Sequence, residues 1–350
     1  MFKNVIIIWI SLFLLLSCTK KDVENLDPVV IEKGGVFIVN EGNFSVANSS
    51  LSYYYPDTSS ILNNLFYKTN NVPLGDVAQS ITIHNDMVFI VINNSGLIYG
   101  LNSSTLKYDG KINGLISPRE IAFIDDNKAY VSDLFSTSIA VVDPKEYTVT
   151  GSIEIGKSSD CMISVGDKTM IANWSAYNQT TLNNTVMVID NKLDMLTDSI
   201  VIGIEPNSMV IDKYNQLWVL CSGGFMNDEK PTLWKIDVGT LNTIKQYTFS
   251  NILQSPDNLC INGEGDSLYF LNSGVWGMSV DDQQLPDSPI IDGSTKNYYS
   301  LGINPLQSDI YVSDALDHNQ NGIVYRYTSA GKLVSEFQAG IIPGCFGFNN

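Results

Sequence analysis

The side chains able to do chemistry in this 350-residue chain are unevenly supplied: 37 Asp and Glu, but only two histidines, His84 and His318. Carboxylates in such numbers leave room for general acid–base work of the glycosidase or lactonase kind. No pattern in the sequence pairs two of them. No G-x-S-x-G elbow occurs, and a hydrolase nucleophile would lack a placed histidine partner. Five cysteines show no CxxC or CxH spacing, which argues against zinc. Cys161, Cys221, Cys260 and Cys345 lie in apolar, strand-like runs and read as buried free thiols. The formal charge is −17, with Arg119 and Arg326 the only arginines. A chain without a basic footprint has nothing to replace phosphate counterions, so nucleic acid is excluded as a partner. Chemistry in this sequence reads as binding, not as turnover, and the residues ask for no metal and no cofactor.

The residues best suited to binding are large rings set among small polar ones. They are Phe44, Phe135, Trp174, Tyr177, Phe225 and Trp276, each following an apolar strand. A second set stands at the starts of other strands: Asp76, Gln79, Arg119, Glu120, Asp160, Asn207, Asp257, Asn258 and Tyr299. Rings beside Gly, Ser and Asn stack on flat or sugar-like ligands, while amides and carboxylates fix orientation. The competing reading is that rings like these pack between structural units. Asp317-His318-Asn319-Gln320-Asn321-Gly322 has the outline of half a calcium loop, but Thr328 stands where the closing glutamate belongs. Asn321-Gly322 reads instead as a type I′ hairpin turn before the strand that follows.

Placing these residues together requires a repeating frame, and the sequence supplies one. Apolar strands centred on Phe37, Phe89, Tyr130, Met170, Trp218, Tyr269 and Tyr311 recur at spacings of 52, 41, 40, 48, 51 and 42. That period is the size of a propeller blade. Each centre is preceded by a turn and strand, as in Ser117-Pro118-Arg119-Glu120-Ile121, and followed by a third strand such as Ile139-Ala140-Val141-Val142-Asp143. A fourth closes the unit. The expectation is an all-β, seven-bladed β-propeller of four antiparallel strands per blade over residues 34–350, with no helix. Ile341-Ile342-Pro343-Gly344-Cys345-Phe346 repeats an inner-strand start and is expected to close the ring by pairing into the first blade as a strap.

Residues 1–17 read as a signal peptide: Lys3, then an apolar run too short to span a bilayer. Leu15-Leu16-Ser17-Cys18 resembles a bacterial lipobox, which implies a lipidated Cys18 and a tether over 18–33. The charged stretch Thr19-Lys20-Lys21-Asp22-Val23-Glu24-Asn25 resembles a tag for export to the outer face of the outer membrane.

The Tyr-Val-Ser-Asp strands and Ala-Val-Val-Asp-Pro third strands resemble the secreted and surface-layer propellers of the YncE-like class. Val39-Asn40-Glu41-Gly42-Asn43-Phe44, Leu74-Gly75-Asp76-Val77-Ala78-Gln79-Ser80 and Gly340-Ile341-Ile342-Pro343-Gly344 narrow the likeness. They are similar to stretches of the seven-bladed lipoproteins of gut anaerobes that include the cell-surface cobalamin-capture proteins. The likeness runs along nearly the whole mature chain. It implies a surface lipoprotein that binds cobalamin or a related corrinoid and passes it to a TonB-dependent outer-membrane transporter. Read from the residues alone, a glycan- or other small-molecule-binding propeller, a propeller lactonase or glycosidase, or a structural or adhesive protein remain as alternatives.

Overall fold

A computed structural model of the chain describes residues 30–175 and 182–350. The signal peptide, Cys18, most of the tether and Tyr177 lie outside the described residues. Among those described, the chain forms seven four-stranded antiparallel sheets, the blades of a propeller. The seven strands centred on the repeat are in every case second from the axis, and they are the buried heart of each blade. Phe37, Tyr130, Met170, Trp218 and Tyr311 are 0% exposed. Burial of such side chains contributes about 1.5–3 kcal/mol each, which is why the period is carried by large apolar residues. Outermost strands such as Thr148–Glu154 are exposed on all but one residue and carry the polar sequence.

Pro343–Asn349 is the innermost strand of the first blade, antiparallel to Gly35–Asn40, with Gly35 opposite Asn349 and Asn40 opposite Pro343. The chain's two ends thus share one sheet, and the last strand gives the first blade its full four. The remaining inner strands are Ala78–His84, Pro118–Asp125, Met162–Val165, Pro206–Ile211, Asp257–Ile261 and Tyr298–Ile303, for blades 2 to 7.

Two local expectations are corrected. A helix, Leu65–Asn70, occupies the crossover between the first two blades. It is six residues long, too short to show a helical period, and is bounded by Asn64 and Asn71 in the left-handed region; burial of Leu65 and Phe66 holds it. Asn321-Gly322 is also not the hairpin turn, because it opens the strand Asn321–Tyr327. The chain reverses earlier, through Leu316 (φ 53°) and His318 (φ 61°), with the Asp317 carboxylate accepting the N–H groups of Asn319 and Gln320. The glycine at 322 serves close packing instead. A side chain there would meet Pro343 and come within 2.8 Å of the Asp314 carbonyl oxygen. With its carboxylate turned onto its own loop, Asp317 forms a turn and not half of a cation site.

Candidate functional site

Five inner strands break register at the same place, next to their first residues. The ladder skips Gln79 in blade 2, Arg119 and Glu120 in blade 3, and Asn207 in blade 5. It skips Asn258 and Leu259 in blade 6 and Tyr299 and Ser300 in blade 7. A bulge lifts a residue out of the pleat and re-aims its side chain. All the skipped side chains but Ser300, which bonds to Ser313 and the Pro343 carbonyl, line one axial cavity of about 430 Å³ at the loop end of the ring. Asp160, Asp257 and Trp174 complete the part of its wall expected from sequence. Glu41, Ser208, Cys161, Met162, Cys260 and Cys345 were not foreseen there.

These side chains are linked from blade to blade. Arg119 donates through Nε to Asp160 at 2.7 Å and through Nη2 at 3.4 Å, a forked pair, while Nη1 reaches the Gln79 carbonyl oxygen. Its guanidinium carbon lies 5.6 Å from the centre of the Trp174 ring. The Tyr299 hydroxyl donates to Glu41 at 2.9 Å, and Asn207 donates to the Pro256 carbonyl at 2.9 Å. Met162 N–H donates to Glu120 at 2.8 Å. A cradle tied this way is held in position before any ligand arrives.

Its electrostatics are lopsided. Four carboxyl groups, Glu41, Glu120, Asp160 and Asp257, face one guanidinium. Burial pushes Glu41 up to about 7, against the hydrogen bond from Tyr299 and the attraction of Arg119. Glu120 is likewise raised by burial to about 7, with the Met162 N–H opposing and Asp160 adding to the rise. Burial raises Asp257 to about 6. For Arg119 burial opposes the charge, but Asp160, Glu41 and Glu120 more than offset it and hold the group above its ordinary value. The cavity therefore offers strong acceptors in excess and one fixed cationic fork. Burial also keeps the wall thiols protonated, Cys260 at about 12 and Cys345 at about 11. All four described cysteines are free.

The other expected site residues are placed elsewhere. Asp76 is 9% exposed and spends both carboxylate oxygens on the Ser45 N–H, with Asn94 on one of them; it pins a loop instead of lining the mouth. Phe44 and Phe135 are exposed on the loops, 71% and 63%, away from the cavity wall. Phe225 packs 5.5 Å from Trp174 and extends its aromatic surface outward. Trp276 lies toward the rim, parallel to Phe270 at 6.4 Å. His84 ends the blade 2 inner strand, opposite Gln79, and pairs with Asp126 at 2.9 Å on the far face. His318 touches Tyr299 edge-on at 5.6 Å, with its Nε2 2.9 Å from the Asn297 amide.

Among the described residues no group of three or more His, Cys, Asp or Glu is arranged to hold a metal ion. No helix there is long and apolar enough to cross a membrane.

The fold is shared with solved structures of varied kind. A quinonprotein alcohol dehydrogenase-like protein from Bacteroides thetaiotaomicron superposes with a TM-score of 0.71 at 14% identity, covering 90% of this chain and 78% of that one. Hydrazine synthase from Kuenenia stuttgartiensis gives 0.61 at 16% identity, over 77% of this chain and 88% of its own. Apo AztD from Citrobacter koseri gives 0.58 at 8% identity, over 89% and 96%. At such identities the likeness is one of fold alone. No curated protein matches the sequence. The family model of the domain of unknown function DUF5074 matches residues 34–342, and the chain belongs to that family.

Proposed function

We propose that this protein captures a small, amide-rich molecule at the axial cavity, and that the molecule is a corrinoid of the cobalamin type. The observation that carries the reading is the alignment of five register breaks, which turn six polar side chains onto one cavity. A cavity of about 430 Å³ takes the edge of a corrinoid, not its whole body. The broad ring would lie across the mouth, against Trp174 and Phe225. Its amide N–H groups would donate to Glu41, Glu120 and Asp257, and an amide carbonyl would accept from Arg119. Cobalt needs no protein ligand in this arrangement, since His84 is on the opposite face and His318 is engaged with Asn297 and Tyr299. Binding without turnover suits a wall whose thiols stay protonated and whose carboxyl groups have no histidine beside them.

In this reading Cys18 carries the lipid that holds the propeller on the outer membrane, facing outward, and a TonB-dependent transporter receives the ligand. Two acyl chains give stable anchoring. Metabolic labelling with an alkyne fatty acid should mark the protein and fail in Cys18→Ala. For the ligand, calorimetry with cyanocobalamin should give a one-to-one isotherm of micromolar affinity or tighter. Absence of heat at micromolar protein would rule the corrinoid out.

A further inference from the structure

Toward the rim of the same face lies a second hollow, of about 310 Å³, between blades 5 and 6. One wall is aromatic: Phe249 and Phe270, 4% and 0% exposed, with Trp276 parallel to Phe270. The Trp276 indole N–H is spent on the Asn272 carbonyl at 2.7 Å, which locks the ring in place. Leu285 and Pro286 add to the apolar part, and the rest of the lining is polar: Thr248, Ser250, Gln254, Asn272 and Asp287, with no cationic side chain. Asn272 is 8% exposed as a residue, but its side-chain amide opens into the hollow, where water reaches it, and it makes no hydrogen bond to another described residue. An amide satisfied by water alone is free to pair with a ligand that displaces that water. Gln254 accepts from the Asn251 N–H through its carbonyl oxygen at 3.0 Å, which leaves its NH₂ to donate.

We propose that this rim hollow is a saccharide site, taking a neutral pyranose ring with its C–H face on Trp276 and its hydroxyls on Asn272, Gln254 and Asp287. The chemistry follows from the two walls. A sugar ring has one apolar face and an edge of hydroxyls that both donate and accept, which matches an aromatic wall facing amides and a carboxylate. A lining without a cation gives an anionic ligand no counter-charge, and the single carboxylate, Asp287, is exposed and screened. The site is separate from the axial cavity. The crossover 249–256 divides them, with Gln254 on the rim side and the Pro256 carbonyl holding Asn207 on the axial side.

Saturation-transfer NMR on the full mature protein tests this, with the methyl glycosides of glucose, galactose, mannose and N-acetylglucosamine at millimolar concentration. At least one should show transfer to its ring C–H protons. Trp276→Ala should abolish it. Gln254→Ala and Asp287→Ala, changes outside the core, should each weaken it about tenfold and so keep the test sound if Trp276→Ala misfolds. Arg119→Ala should leave it unchanged. No transfer with any glycoside would overturn the proposal, as would binding that survives both Gln254→Ala and Asp287→Ala, or that disappears in Arg119→Ala. Cyanocobalamin binding is read separately, so either reading can fail alone.

Discussion

The two arginines of this chain are held in nearly the same way and do different work. Arg119 and Asp160 have side chains 15% and 14% exposed and meet at 2.7 Å; Arg326 and Asp309 are 14% and 13% exposed and meet at 2.6 Å. What surrounds each pair separates them. Arg326 also donates to the Pro56 carbonyl and to Gln307, each at 3.4 Å, and so joins blade 7 to blade 1 at the seam where the ring closes. Arg119 stands on a register break with Trp174 at one side and three further carboxyl groups across open space. A buried ion pair is by itself weak evidence of purpose. Further carboxyl groups around it, in a cavity, are why the proposed site is built on Arg119 and not on Arg326.

The seam should be the more fragile region. Removing residues 341–350 deletes the inner strand of blade 1 and bares the edge of Gly35–Asn40 beside the Arg326 contacts. Loss of cooperative unfolding by calorimetry, with aggregation in gel filtration, is the expected outcome; a folded monomer would deny the strap its role. Next in size, Arg326→Ala leaves Asp309 buried without its partner and should destabilise the fold by about 3 kcal/mol in denaturant titrations, with ligand affinity unchanged. Arg119→Ala should differ in its effect on the ligand. Its pair with Asp160 is as buried as that of Arg326, so stability is lost here too, while cyanocobalamin affinity falls about 10- to 100-fold for loss of a charged donor, an effect Arg326→Ala lacks. Were the two variants to bind the ligand alike, the contrast between seam and cavity would fail.

A further effect is one of pH. Glu41 and Glu120 titrate at about 7 in the fold, above the ordinary 4.5. The folded protein therefore keeps protons that the unfolded chain releases. Stability from these groups is fully present below about 4.5 and is lost as pH rises through about 7. Each carboxyl should account for about 3 kcal/mol over that window. Chemical denaturation across pH 4.5–7.5 should show the decline, and Glu120→Gln should flatten its share of it.

The frame was legible because burial imposes a period. Phe37, Phe89, Tyr130, Met170, Trp218, Tyr269 and Tyr311 each centre a second strand, since that position must be large and apolar in every blade. The cavity was half legible. Gln79, Arg119, Glu120, Asn207, Asn258 and Tyr299 open inner strands, and polar residues there have few places to point but the axis. Glu41 escaped because it follows a second strand and reaches the cavity through its bond to Tyr299. Cys345 enters the wall because the last strand folds into the first blade; the strap was legible from its inner-strand start, but not which of its side chains would face the cavity. Asp76 and Trp276 have the right types and nearly the right spacing. Their partners, Ser45 and Asn94 for one and Phe270 and Asn272 for the other, come from folding and turn them away from the axis.

The central claim is that the loop-end cavity around Arg119 is where a corrinoid binds. Crystals grown with cyanocobalamin, measured at the cobalt absorption edge, locate the metal directly. A corrinoid bound there would give a single anomalous peak on the propeller axis above the cavity, with corrin amides reaching Arg119 and the carboxyl groups below. A peak over the rim hollow or the far face, or no peak in crystals soaked to saturation, would contradict it.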